Sequence, residues 1–240
     1  MNNFLGELLG TMTLIILGCG VVANVCLTQT KGENSGWIVV TTGWFIAVVM
    51  GVFVAQSAQA PNADINPAVS VAKFCLGFYT LNELSIIVVA QLIGAFIGAT
   101  IVMIAYWPHW KVTTNPALKL AVFCTAPAIR QPMWNVLTEI IGTAFLVFGV
   151  SAIFGPARVH IPGSGMGPYL VGILVWGIGL SLGGPTGYAL NPARDLAPRF
   201  AHFLWPIPGK SNSDWGYAWV PVIGPLIGGL IGAVCWHFCF

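Results

Sequence analysis

Six stretches of this chain are long and apolar enough to cross a lipid bilayer, and that leaves almost no soluble fold open to it. They lie near 4–27, 37–57, 84–107, 134–154, 168–182 and 215–238, against a requirement of about 20 residues for a helix spanning the hydrocarbon core. Hydrophobic residues make up 57% of the 240 and charged residues only 7%, where soluble domains carry about 25% charged residues. Backbone in hydrocarbon must satisfy its own hydrogen bonds, so runs of this length imply helices. The fold class expected is an all-α membrane protein. A net charge of +2, scattered along the chain, excludes a nucleic-acid surface.

Two further apolar pieces are half as long. Asn-Pro-Ala stands at 66–68 and again at 191–193, opening the stretches 68–77 and 193–204. Asn is a favoured N-cap and Pro a favoured first helical residue, so each triplet reads as a helix start. Ten residues make a helix of about 15 Å, half the hydrocarbon thickness. A helix start at that depth leaves orphan N–H groups that must face a water-filled cavity or another protein segment. Two such half-helices meeting end to end make a seventh, broken crossing.

The two halves repeat. Glu7-Leu8-Leu9-Gly10-Thr11 matches Glu139-Ile140-Ile141-Gly142-Thr143 at an offset of 132, and the Asn-Pro-Ala copies are 125 apart. Three full spans per half is an odd number, so the second half enters from the opposite side as an inverted repeat. The expected organisation is one channel domain over 1–240: repeat 1 at about 1–110, a connection at about 108–133, and repeat 2 at about 134–240. Glycines four apart at 6 and 10, 94 and 98, and 224, 228 and 232 suit close helix contact.

Other features carry less. A third triplet, Asn115-Pro116-Ala117, sits between Lys111 and Lys119 with no membrane-length apolar partner, and reads as a chance turn in a loop. Trp37, Trp107, Trp110, Trp134, Trp205, Trp215 and Trp219 fall near span ends and read as interfacial anchors. The six cysteines lack metal spacing and read as reduced packing residues. His109, His160, His202 and His237 are dispersed loop or interface histidines without ligand spacing. No nucleophile or metal cluster emerges, so an enzyme is set aside, and no cofactor or metal is implied. Glu7 interrupts the first apolar run and no basic region precedes it, which reads as a retained span, not a cleaved signal.

These residues carry a resemblance. Gly183-Gly184-Pro185-Thr186-Gly187-Tyr188-Ala189-Leu190-Asn191-Pro192-Ala193-Arg194-Asp195, together with Tyr217 to Pro225, resembles the aquaporin superfamily (major intrinsic proteins), in its glycerol facilitator or aquaglyceroporin branch of the bacterial type. An Asp after the Arg is characteristic of that branch. The resemblance implies an aquaporin-like fold of six transmembrane helices plus two re-entrant half-helices, and a homotetramer with one pore per subunit.

Local matching to the family carries four filter residues onto Trp44, Gly179, Tyr188 and Arg194. Water-selective members place a His where Gly179 stands, so the constriction here is wider. Trp44 and Tyr188 would offer an apolar corner to a carbon backbone, with the Arg194 guanidinium donating to hydroxyls on the other side. The competing reading of Trp44 is a lipid-facing anchor. At the Asn-Pro-Ala constriction, Asn66, Pro67, Ala68, Asn191, Pro192 and Ala193 would start the half-helices, with each Asn holding its carbonyl to its own cap and presenting its amide N–H₂ to the pore. By the same resemblance Glu7 and Glu139 are scaffolding that accepts backbone hydrogen bonds from these loops. Asp195 is expected to pair with Arg199 or a nearby backbone donor.

Before the first triplet the chain departs from the family. Gln59-Ala60-Pro61-Asn62-Ala63-Asp64-Ile65 is about two residues longer than the usual Ser-Gly-Ala-His and an aliphatic residue, and Asp64 replaces the His that lines the inner vestibule. Two readings of Asp64 stand: it alters solute preference, or it bonds donors of its own loop. Charge also departs from expectation. Cytoplasmic termini would leave only Lys73 and Arg158 inside and put Lys31, Lys111, Lys119, Arg130, Arg194, Arg199 and Lys210 outside, the reverse of the positive-inside bias.

The function implied is passive diffusion of glycerol and similar small neutral solutes, with water, through a multi-pass cell-membrane protein. Facing half-helix ends and Arg194 would exclude protons and ions. The alternatives are a channel mainly for water, dihydroxyacetone, undissociated lactic acid, urea or hydrogen peroxide, and a gradient-coupled transporter using Glu7, Glu139 or Asp64 as its titrating group.

Overall fold

The computed structural model describes residues 3–154 and 166–239. Arg158 and His160 lie outside the described residues. In chain order the helices are α1 (Phe4–Cys26), α2 (Trp37–Ser57), α3 (Pro67–Cys75), α4 (Leu81–Ala105), α5 (Trp107–Val112), α6 (Pro116–Phe123), α7 (Pro132–Phe154), α8 (Met166–Leu182), α9 (Pro192–Leu204) and α10 (Val220–Cys239). The described residues contain no strand.

Five helices, α1, α2, α4, α7 and α10, are long and apolar enough to cross a membrane. The sixth expected span, α8, has 17 residues, about 25 Å at 1.5 Å per residue. α3 and α9 are the half-helices, starting one residue earlier than expected because Pro67 and Pro192 already hold helical geometry. α4 starts at Leu81, three residues early, because Thr80 and Glu83 form a reciprocal capping box: Thr80 N–H donates to Glu83 Oε2 at 2.8 Å and Glu83 N–H donates to Thr80 Oγ1 at 3.3 Å. α10 starts at Val220, five residues late. Residues 215–219 are turns instead, anchored where Asp214 takes φ 48° and pairs with Arg130.

Packing follows the inverted repeat. α1 lies against α2 and α4, and α7 against α8 and α10. The two halves then interleave, with α3 against α10, α9 against α4, and α2 against α8. Glycines set the closest approaches: a Cβ on Gly94 would lie 2.2 Å from Leu8 O, and one on Gly228 would lie 2.4 Å from Ile140 O. Gly229 does the same for a half-helix, since its added Cβ would meet Ala68 O at 2.8 Å. Small residues thus let full spans, and the half-helix α3, seat closely against one another.

Several readings are corrected. Asn115-Pro116-Ala117 is a helix start: Asn115 Oδ1 accepts from Ala117 N at 2.9 Å and launches α6, which buries Val122 and Phe123. Trp110 is fully buried, stacked on Phe123 with its indole N–H donating to Met103 O at 2.8 Å, so it is no interfacial anchor. Trp205 donates to Thr100 Oγ1 at 2.9 Å. His202 is buried in α9 with Nδ1 2.8 Å from Ser213 Oγ. Three of the cysteines, Cys75, Cys235 and Cys239, are exposed and lie outside the core.

Candidate functional site

The two Asn-Pro-Ala starts meet in the middle of the molecule. Asn66 Oδ1 accepts from Ala68 N at 2.9 Å, and Asn191 Oδ1 accepts from Ala193 N at 3.0 Å and Arg194 N at 3.2 Å. Each carbonyl is therefore committed to its own helix cap. The amides cross over: Asn66 Nδ2 donates to Leu190 O at 2.9 Å and Asn191 Nδ2 to Ile65 O at 2.8 Å. This reciprocal pair was not anticipated. It fixes each amide plane with one N–H and leaves the second N–H for the lumen, instead of presenting the whole N–H₂ group there.

The loops before each Asn are held in matching, unusual shapes. Ala63 and Ile65 take φ 40° and 44°, and Tyr188 and Leu190 take φ 39° and 55°, a left-handed region that L residues avoid. What sustains it is a buried carboxylate behind each loop. Glu7 accepts from Asp64 N and Ile65 N, both at 2.8 Å, and from Gln91 Nε2 at 2.8 Å. Glu139 accepts from Ala189 N and Leu190 N, both at 3.0 Å, and from Thr186 Oγ1 at 2.7 Å. Both glutamates are 1% exposed and committed to these donors.

Two cavities approach the loops from opposite ends. One is lined by Val48, Val52, Asp64, Lys73, Leu146 and both asparagines, among others; the other by Trp37, Val40, Leu118, Cys124 and Thr125. They share Trp44, Gly187, Tyr188 and Arg194. The two cavities therefore meet at three of the four filter residues expected from the sequence, Trp44, Tyr188 and Arg194. Gly179 lines neither cavity. Its role is room: a Cβ there would stand 2.7 Å from Tyr188 Cζ, so the missing side chain is what lets the phenol ring lie flat against α8.

Arg194 is placed differently from the expected opposition. Its guanidinium sits over the Trp44 ring, 4.1 Å from the centroid, a cation–π stack that leaves no gap for a solute between them. Trp44 supports the arginine from below, and Tyr188 supplies the apolar face. Gly18 admits the indole, since a Cβ there would meet Trp44 Cζ3 at 2.2 Å. Arg194 Nη1 also donates to Phe123 O at 3.4 Å, the C-terminal carbonyl of α6. The third triplet thus starts the helix whose end orients the filter arginine.

Trp37, read as an interfacial anchor, lines the second cavity. Its indole N–H donates to Gly179 O at 3.1 Å, and its ring stands edge-on to Tyr188 at 5.7 Å. Neither it nor Gly18 and Phe123 carried a local signal, because each acts through a contact between distant segments.

Behind the filter lies a buried ion pair. Asp195 Oδ1 accepts from Arg199 Nε at 2.9 Å, and Asp195 Oδ2 accepts from Thr125 N and Thr125 Oγ1, both at 2.7 Å. Arg199 donates onward to Ser213 O, Asp214 O and Thr125 O. Both expected partner types are present, the arginine and a backbone donor. Asp64 bonds side chains of α3 and the segment after it: Ser70 Oγ at 2.8 Å, Tyr79 OH at 3.0 Å and the Lys73 ammonium. Its own loop contributes no donor.

Comparison with known proteins adds the following. A family model described as "Major intrinsic protein" matches residues 1–236. The chain is 54% identical over 240 residues to the "Probable glycerol uptake facilitator protein" of Thermotoga maritima, covering 100% of each. It is 48% identical over 240 residues to the "Glycerol uptake facilitator protein" of Bacillus subtilis, covering 100% of this chain and 85% of that one. Among solved structures, the aquaglyceroporin from Plasmodium falciparum superposes with a TM-score of 0.84 at 28% identity, covering 99% of this chain and 96% of that chain.

Proposed function

The chain belongs to the major intrinsic protein family, and from that premise we propose that it is a passive channel for glycerol and similar small neutral solutes, with water, closed to protons and ions. It is a multi-pass membrane protein. The observation that carries the solute class is the constriction shared by the two cavities, where the Tyr188 ring lies beside a guanidinium held on Trp44. A slim molecule with carbon along one edge and hydroxyls along the other matches that surface. Hydroxyls would take N–H donors from Arg194 and then from Asn66 and Asn191, while the aliphatic lining of Val48, Val52 and Leu146 offers the carbon edge nothing to bind tightly.

Ion exclusion follows from charge. The N-termini of α3 and α9 face the middle of the pore, each equivalent to about +0.5 of an elementary charge, and Arg194 adds a full one. A cation there loses water and gains repulsion. Glu7 and Glu139 serve as loop scaffolds in this reading, because their oxygens are spent on backbone N–H groups and neither lines a cavity.

We further place both termini in the cytoplasm. The basic side chains that contradict the positive-inside bias are largely occupied: Lys210 donates to the His202, Phe203 and Trp205 carbonyls at the α9 C-terminus, Lys119 to Pro208 O, and Arg130 pairs with Asp214. Such charges are structural and speak weakly for topology. A homotetramer of single-domain subunits suits the exposed apolar flanks of the helices.

Reconstituted vesicles shrunk by a glycerol gradient are expected to re-swell several-fold faster than empty liposomes, at a rate indifferent to imposed proton or sodium gradients. Re-swelling no faster than empty liposomes would overturn the channel reading, and a rate that follows either gradient would favour coupled transport. Gly179→His should slow glycerol roughly tenfold, an added barrier of about 1.4 kcal/mol, while water is spared. The imidazole must push the Tyr188 ring into the lumen. Equal loss of both fluxes in stopped-flow light scattering would remove Gly179 from the filter.

A further inference from the structure

The cavity on the Asp64 side, the inner one when both termini are cytoplasmic, holds one ion pair. Among the described residues lining the two cavities, Asp64 is the only carboxylate, and Lys73 and Arg194 are the cations. Lys73 sits in the last turn of α3, 24% exposed at its side chain, and pairs with Asp64, whose side chain is fully covered; it also donates to Asn62 O at 3.3 Å. Asp64 lies two residues before Asn66, and the pair lines the same cavity as both asparagines.

We propose that Asp64 and Lys73 are a charge-balancing pair that leaves neither charge uncompensated beside the pore, and so helps to restrict conduction to uncharged solutes. This deepens the channel reading above and rests on it. Lys73 is the member with exposed surface and Asp64 lies covered beside it, so the cavity meets the sum of the two charges. Without Lys73 the covered carboxylate is uncompensated, and its field draws cations into the cavity. Without the Asp64 charge, the charged side chains lining this cavity are Lys73 and Arg194 alone, and anions are drawn in.

The surroundings allow either change without collapse of the loop. Asp64 keeps two neutral donors, Ser70 Oγ and Tyr79 OH, when Lys73 is removed. Glu7, the other nearby carboxylate, is reached through Ser70 and Gln91 and holds the loop backbone through Asp64 N and Ile65 N, which no side-chain change at 64 removes. A purely structural latch would need the pair intact; a charge balance needs only the sum.

Substitutions separate the two. In glycerol-competent vesicles, Lys73→Met is expected to raise proton and potassium leak on the order of tenfold, and Asp64→Asn to raise chloride leak similarly. The double variant Asp64→Asn with Lys73→Met should return both leaks to the parent level. Lys73→Arg and Tyr79→Phe, which leave the charge sum unchanged, should not leak. Single variants as ion-tight as the parent, or a double variant that leaks as much as either single one, would overturn the proposal. Glycerol re-swelling of the unsubstituted protein is read in the same vesicles. Its absence would count against the channel reading itself, whereas normal glycerol flux with ion-tight single variants counts against the charge balance alone.

Discussion

Asp195→Leu is expected to destabilise the protein by about 3–5 kcal/mol, the usual cost of removing one partner from a buried ion pair. Asp195 and Arg199 are both fully buried, and all three guanidinium nitrogens are bonded. With the carboxylate gone, the charge on Arg199 has only neutral carbonyls to face, and Thr125 loses the acceptor of both its N–H and its hydroxyl. Thr125 follows α6, whose last carbonyl holds Arg194, so the damage reaches the filter. Thermal unfolding in detergent should show a midpoint lower by on the order of 10 °C. The double variant Asp195→Leu with Arg199→Met should regain part of the loss, because no unpaired charge remains. A midpoint within a degree of the parent for Asp195→Leu would show that the pair contributes nothing.

The second large effect is expected at Glu139. Glu139→Leu strands the N–H groups of Ala189 and Leu190 in a buried site, at about 1–3 kcal/mol each, and both belong to a loop already held with positive φ at Tyr188 and Leu190. The loop should relax, the Leu190 carbonyl should leave Asn66, and glycerol and water fluxes should fall together. Glu139→Gln retains one acceptor oxygen but turns an amide N–H₂ toward a backbone donor, so it should fall between the parent and Glu139→Leu. Paired measurements of both fluxes and of the amount of folded protein test this. A Glu139→Gln variant with parental flux but altered dependence on a proton gradient would instead make Glu139 a proton carrier.

Much of the fold was legible because its determinants are local. α2 spans Trp37–Ser57, the same bounds as the apolar run, since a membrane-length run leaves a chain no other way to satisfy its backbone. The half-helices began at their Asn-Pro pairs for an equally local reason, a side-chain cap followed by a ring with fixed φ. α4 was misplaced by three residues although Thr80 and Glu83 carried the signal. The start of α10 could not be read, because the turns before it are anchored by Arg130, a residue 84 positions from Asp214 in the chain.

The candidate site divides in the same way. Sequence alone determined that this chain is a bundle of membrane helices with two half-helices in an inverted repeat, since apolar length, capping chemistry and duplication are properties of short segments. Through its resemblance to the family it also nominated Trp44, Gly179, Tyr188 and Arg194. Only the tertiary structure decided that Arg194 rests on Trp44 and reaches the end of α6, that the two asparagines exchange hydrogen bonds across the repeats, and that Asp64 answers Lys73 inside the cavity. Each of these, Asp64 with Lys73 excepted, joins groups far apart in the chain. Asp64 and Lys73 are near neighbours, but their partnership depends on a loop whose backbone is shaped by Glu7 from another helix. The physical reason is common to all: a hydrogen bond or ion pair is set by where backbones are brought together, and no segment encodes its partner's position.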